Sequence, residues 1–146
     1  MHLLDLLSPA RVKANVTTSG KKRLLEQHSA LLADGADGVS ERGFYDGLCG
    51  RERLGSTGLG HGVAIPHGRS ARLATATGTF LRLAEPVDFN APDGQPVDLV
   101  FALVVPEHFA TQHLMLLANL AEMFGDAGFR DQLRAASPGQ LAIRLW

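Results

Sequence analysis

Six histidines, at positions 2, 28, 61, 67, 108 and 113, are the side chains of this sequence best suited to chemistry near neutral pH. An imidazole of ordinary pKa keeps a lone pair available there. His2 is terminal, and His28 lies on the apolar stripe of a helix-patterned segment, the setting of a packed core residue. Three readings compete for the other four. As metal ligands, His61 and His67 are six apart and His108 and His113 five apart; neither spacing matches the i, i+4 pair of a metalloprotease helix or a Cys-x-x-Cys zinc site. No metal ligand is assigned. As part of a nucleotide loop, Gly55-Ser56-Thr57-Gly58-Leu59-Gly60-His61-Gly62 has a flexible backbone whose N–H groups could cradle an anion. It lacks the Gly-Lys-Ser/Thr ending of a P-loop and the Gly-x-Gly-x-x-Gly spacing after a strand.

The third reading is a phosphohistidine. A neutral imidazole is a good nucleophile if a hydrogen bond fixes its tautomer and donors and positive charge await the phosphoryl oxygens. Val63-Ala64-Ile65-Pro66-His67-Gly68-Arg69 sets His67 between an apolar segment and a glycine. Proline fixes the approach of the chain, and glycine keeps bulk away from an incoming donor. Arg51, Arg53 and Arg69 offer bidentate phosphate contacts, and Ser56 and Thr57 offer hydroxyls. His113 falls in the first turn of a predicted helix, where free N–H groups and the helix dipole favour an anion. Each feature also has a plainer reading. Pro66 and Gly68 are ordinary turn residues, surface arginines are usually solvated, His113 can cap or pack, and Ser56 and Thr57 can stabilise a turn. Composition and spacing leave both sets of readings open.

The elements that must position these residues follow from periodicity. Lys21 to Ala33 is helical, with apolar or histidine positions 24, 25, 28, 31 and 32 and an Asp34-Gly35 stop. Ser40 is an N-cap for a second helix carrying Phe44, Leu48 and Cys49 to about Gly50. Five glycines between Gly55 and Gly68 predict loop rather than regular structure. Thr75 to Leu83 is a strand broken by Glu85-Pro86, followed by a turn at Asn90-Ala91-Pro92-Asp93-Gly94. Val97 to Val105 is nearly continuous apolar sequence, the pattern of a strand buried on both faces, which requires helices above and below the sheet. Thr111 to Phe124 is an amphipathic helix with Leu114, Leu117, Ala118, Ala121 and Phe124 on one stripe and Gly125 at its end. Two short helices follow, one around Phe129 to Ala135 and one starting at Ser137-Pro138. The expected class is α/β, a mixed β-sheet flanked by helices on both faces.

At 146 residues the chain suits one domain, residues 1–146, with a single core. Hydrophobic residues make up 45% and charged residues 20%, the composition of a soluble globular protein. The formal net charge of −1, with no basic run, argues against a nucleic-acid partner. The single Cys49 cannot form an internal disulfide, which fits a reducing, cytoplasmic setting. No stretch approaches 18 consecutive apolar residues, and the start lacks a secretory pattern, so no membrane insertion is expected.

The run Arg51-Glu52-Arg53-Leu54-Gly55-Ser56-Thr57-Gly58-Leu59-Gly60-His61-Gly62-Val63-Ala64-Ile65-Pro66-His67-Gly68-Arg69 closely resembles enzyme IIA domains of the bacterial phosphotransferase system. Within them it looks most like the nitrogen-regulatory branch, related to the fructose and mannitol IIA domains. A second block agrees, Phe89 through Pro106 and then Thr111-Gln112-His113-Leu114, and the similarity extends from about Leu6 to the C-terminal helices. The resemblance implies that His67 is the phosphorylated residue, through Nε2. It implies that His113 is the second active-site histidine and that Arg51 is a phosphate and partner contact. Ser56 and Thr57 match the loop beside the histidine as phosphate-binding residues. The implied donor is a small histidine phosphocarrier, NPr or HPr, charged by enzyme I from phosphoenolpyruvate, and no cofactor is implied. The implied role is that of a regulator whose phosphorylation state controls target proteins. Two rivals stand beside it, a sugar-specific IIA passing phosphate to a IIB domain and a binding regulator without phosphotransfer. Leu54, Leu59 and Val63 are candidates for a docking surface around His67, or for core. One departure from the family pattern is the slightly short loop at Ser70-Ala71-Arg72-Leu73.

Overall fold

The computed structural model describes residues 6–34 and 38–145. His2, the amino-terminal residues read for a secretory pattern, and the Gly35 helix stop lie outside them. A 3-10 turn at Pro9–Arg11 leads into β1 (Val12–Val16), then α1 (Lys21–Asp34) and α2 (Glu41–Glu52). Three short strands follow, β2 (Gly58–Gly60), β3 (Val63–Ala64) and β4 (His67–Ser70), and then two long ones, β5 (Thr77–Val87) and β6 (Val97–Pro106). Three helices close the chain: α3 (Ala110–Gly125), α4 (Ala127–Ala135) and α5 (Leu141–Leu145).

The sheet runs β1-β5-β6-β3-β2, with β4 also on β6. It is mixed: β1 lies parallel to β5, β5 antiparallel to β6, and β3 and β4 parallel to β6. The apolar run at Val97–Pro106 is its central strand, buried almost throughout, as expected of a strand covered on both faces. Alternation splits it. Leu99, Phe101, Leu103 and Val105 pack with Leu116, Leu120, Phe124, Leu133 and Leu141 of the C-terminal helices. Val100, Ala102 and Val104 pack with Leu24, Leu25, Phe44 and Leu48 of α1 and α2. The α/β class with helices on both faces is therefore observed. Ser40 caps α2 as expected, its hydroxyl accepting from the Gly43 N–H at 3.0 Å.

The structure corrects five expectations. The glycine-rich stretch is not loop, because β3 and β4 form one interrupted line along β6, with Val63 opposite Leu99 and His67 opposite Leu103. Partners more than thirty residues away supply these strands, so local glycine content could not reveal them. The β5 strand runs on through Glu85-Pro86 to Val87, with a register irregularity after Arg82; a bulge absorbs the proline. The α3 stripe is rotated: His113, Leu116, Leu120 and Phe124 are buried, while Leu114 is 67% exposed. Ser137-Pro138 belongs to a turn ahead of α5, closed by the Gln140 N–H on the Ser137 carbonyl. Finally, β1 has no counterpart in the expected elements.

Candidate active site

His67 opens β4, on the sheet face covered by α3, and its neighbour Gly68 points the other way, toward α2. A Cβ on Gly68 would lie 2.8 Å from the Gly47 carbonyl oxygen. This glycine therefore lets the strand approach α2, rather than clearing space for a donor as the sequence suggested. Pro66 contributes through its carbonyl, which accepts from the Leu103 N–H at 2.9 Å and holds the break between β3 and β4 against β6.

The Nδ1 of His67 lies 2.8 Å from the Ile65 carbonyl oxygen. A carbonyl only accepts, so the neutral ring carries its proton on Nδ1 and presents Nε2 as a bare lone pair. Burial pushes the imidazole below its ordinary value, and the Arg51 charge pushes the same way, against the Ile65 bond and Glu52, which raise it. The neutral, nucleophilic form is the favoured one.

The ring sits between two concavities. One, about 410 Å³, is lined by Arg51, Leu54, Arg69, His113, Leu114 and Leu117, among others. The other, about 340 Å³, is lined by Ser56, Thr57, Leu59, Ile65, Leu117 and Ala121, with Arg51 shared. The α3 residues expected in the core thus form the site's apolar wall. His113 lies with its ring centroid 5.4 Å from that of His67, the planes nearly perpendicular. Its Nδ1 accepts from the Arg69 Nε–H at 3.1 Å. Its Nε2 is buried without a partner among the described residues. Burial first, then His67 and Arg69, push this ring down to about 4.

Of the nominated residues, His67, His113, Arg51, Arg69, Ser56 and Thr57 are gathered here. Arg51 donates to the Gly55 carbonyl at 2.9 Å, anchoring the loop. The two hydroxyls are already engaged: Ser56 donates to the Phe89 carbonyl at 2.7 Å and Thr57 to Glu52 at 2.7 Å. Arg53 lies elsewhere, in a groove with Lys22 and Tyr45. His61 stands in the β2–β3 turn with φ 57°, its N–H on Asp93, and His108 packs on Phe109. Among the described residues no group of three or more His, Cys, Asp or Glu is gathered as a metal site. Val63 is core at 1% exposure, whereas Leu54 is 83% and Leu59 44% exposed.

Two contributors had no signal in the sequence. The Ile65 carbonyl is one. The other is Glu52, whose nearly buried carboxylate takes the Thr57 N–H at 3.0 Å, the Thr57 hydroxyl, and an ion pair with Lys21 at 2.8 Å. It ties the end of α2 to the loop under His67. A Glu between two arginines reads as a solvated helix end, and only the fold turns it inward.

A neutral imidazole with a free Nε2, beside a guanidinium and a second imidazole at an apolar-walled opening, is the arrangement of a nucleophile with an anion site. The chain belongs to a phosphotransferase family: residues 5–145 match the phosphoenolpyruvate-dependent sugar phosphotransferase system, EIIA 2. It is a phosphotransferase component of the enzyme IIA kind. A nitrogen regulatory protein of Pseudomonas aeruginosa is 43% identical over 145 residues, covering 99% of this chain and 94% of that protein. The crystal structure of nitrogen regulatory protein IIA-Ntr from Neisseria meningitidis superposes with a TM-score of 0.90 at 42% identity, covering 97% of this chain and 95% of that one. The IIA mannitol structure from Escherichia coli, at 19% identity, covers 96% of this chain and 99% of that one; with a TM-score of 0.80 it shares the fold. The chain is thus of the nitrogen-regulatory type within the family. Among the described residues no helix is long and apolar enough to cross a membrane.

Proposed function

We propose that this chain is a single-domain cytoplasmic phosphocarrier that takes a phosphoryl group onto Nε2 of His67 from a histidine carrier of the NPr or HPr kind, and that its phosphorylation state signals to target proteins. The observation that carries the reading is the Ile65 bond to Nδ1, which leaves Nε2 as the ring's only free lone pair. In the transfer that lone pair forms the new N–P bond while the donor's N–P bond breaks, its electron pair returning to the donor ring. Both rings keep the protons they began with. His67 becomes a phosphorylated imidazolium whose Nδ1–H faces the Ile65 carbonyl, so the bond already present stabilises the new positive charge.

Arg51 and His113 stand ready for phosphoryl oxygens, and Ser56 and Thr57 shape the loop beneath them. Positioning and charge matching supply the catalysis. Exposed Leu54, Leu59 and Leu114 ring the opening and form the surface on which the carrier docks. The regulatory reading rests on the names of relatives at about two-fifths identity, which favour it over a sugar-specific IIA.

The test is incubation with phosphoenolpyruvate, enzyme I and the carrier, followed by intact-mass measurement. An acid-labile phosphate on wild type and none on His67→Ala is expected. Wild type without label overturns the phosphocarrier reading, and label on His67→Ala overturns the site.

A further inference from the structure

We propose that Arg69 is a positioning residue of this site, holding His113 in the tautomer whose proton sits on Nε2. The inference rests on His67 as the acceptor for its consequence, but not for its geometry. A guanidinium has donors and no acceptor. With Arg69 Nε 3.1 Å from His113 Nδ1, that nitrogen must be the unprotonated one, and the neutral ring's proton falls on Nε2. The two facing rings are thereby fixed in opposite senses. His67 is pinned by an acceptor, the Ile65 carbonyl, and offers a lone pair at Nε2; His113 is pinned by a donor and offers a proton at Nε2.

The His113 Nε2–H is buried and without a partner among the described residues, so it is a donor held in reserve beside the acceptor ring. A phosphoryl oxygen on His67 would supply its missing acceptor. Had the other tautomer formed, Nδ1–H would meet the Arg69 Nε–H head on, and a lone pair would face the incoming phosphoryl oxygens. The strand does the placing: Arg69 follows His67 by two residues on β4, while the ring it holds comes from α3. The β4–β6 register, His67 opposite Leu103 and Arg69 opposite Val105, sets both side chains from one rigid element.

Arg69→Met keeps the length of the arm and removes the donor, and Arg69→Lys restores a donor. The readout is the 15N spectrum of the histidine rings in unphosphorylated protein, which reports which nitrogen carries hydrogen and needs no phosphotransfer. Wild type is expected to show His113 protonated at Nε2. Arg69→Met should show a mixture of tautomers, and Arg69→Lys a return toward the wild-type form. Carrier-driven labelling of His67 should slow about three- to tenfold in Arg69→Met, the worth of one hydrogen bond, with partial recovery in Arg69→Lys. A wild-type ring protonated at Nδ1 overturns the proposal. So does an Arg69→Met spectrum unchanged at His113, even with slower labelling, since Arg69 would then act by touching the phosphoryl group itself. If wild type takes no label at all, the phosphocarrier reading falls while the spectra still decide the role of Arg69.

Discussion

His28 and His67 are both histidines that burial keeps neutral, and they do opposite things. His28 is fully enclosed between α1 and β5, with Nδ1 2.6 Å from the Thr79 hydroxyl and Nε2 buried without a partner among the described residues. Its pKa is pushed down to about 3 by burial alone. His67 is also lowered by burial, but its ring reaches the rim of the sheet, where two concavities meet it. The Thr79 hydroxyl can donate or accept and so fixes no tautomer, whereas the Ile65 carbonyl permits one. Burial sets the charge of an imidazole; the partner on one nitrogen and the access to the other decide whether it is a nucleophile.

The widest separation should come from exchanging the two losses. His67→Ala is expected to abolish carrier-driven phosphorylation with thermal stability nearly unchanged. The pair His28→Leu with Thr79→Val is expected to keep phosphorylation within about twofold, since distant sites act independently. Loss of labelling in the core pair, with fold intact by circular dichroism, would break the distinction. The core pair should instead be visible in acid. Because the folded value of His28 lies below 6.5, the unfolded chain takes up the proton first. Its contribution is complete above pH 6.5 and is lost as pH falls toward 3, at about 1.4 kcal/mol per unit and on the order of 5 kcal/mol in all. Denaturant titrations of wild type should therefore show stability falling through this window, and the His28→Leu, Thr79→Val pair should flatten the fall. An equal slope in both would assign acid sensitivity to other groups.

A smaller effect tests how His67 is placed. In Gly68→Ala the new methyl meets the Gly47 backbone, which cannot yield as a flexible side chain would. A loss of about 1–3 kcal/mol is expected, the usual cost of overpacking, together with slower labelling as β4 moves off α2. Unchanged stability in thermal melts would mean that the close approach is not needed. Smaller again is the pH response of the transfer. An imidazole of ordinary pKa would be about nine-tenths protonated near pH 5.5, a tenfold loss of nucleophile. With the His67 value lowered, the labelling rate should fall by less than that between pH 7.5 and about 5.5, once donor-side effects are removed by saturating phosphorylated carrier. A tenfold fall or more would show that His67 is not depressed.

How much of this was legible in the sequence divides along the line between local and distant causes. The two N-terminal helices, the Ser40 cap and the apolar run of β6 are decided by neighbours a turn or a residue away, and they stand where periodicity put them. The strands β3 and β4 depend on β6, more than thirty residues on, and β2 on β3, so this glycine-rich stretch reads as loop. The edge strand β1 alternates half-buried Val12, Ala14 and Val16 with exposed Lys13 and Asn15, too short a pattern to separate from a polar loop. On α3 the apolar arc is wide and takes in both Leu116, Leu120 and Phe124 and Leu114, Leu117 and Ala121, so periodicity could not tell the residues packed on the sheet from those lining the site. For the site itself, residue types offered four histidines and three arginines, the family resemblance singled out His67, His113 and Arg51, and the fold gathers these three. The Ile65 carbonyl, the inward turn of Glu52 and the Arg69 bond to His113 depend on distances across elements, and no spacing encodes them.

The finest test reverses the Gly68 substitution across the same contact. Gly47 lies inside α2, where glycine costs about 0.5–1 kcal/mol relative to alanine. A Cβ there would meet the Arg69 carbonyl oxygen at 3.5 Å, an ordinary contact. Gly47→Ala is therefore expected to raise stability by several tenths of a kcal/mol to about 1 kcal/mol, the helix-propensity gain, read as a higher midpoint in urea with an unchanged slope. Gly47 also lines the larger concavity beside His67, so labelling is the second measurement. A more stable protein that labels at the wild-type rate would show that only the strand side of this contact is tight. A more stable protein that labels slowly would show that the extra methyl, about one turn from Arg51 on α2, already shifts the site. That result would mean His67, unlike His28, depends on the spacing of its elements and not just on their presence.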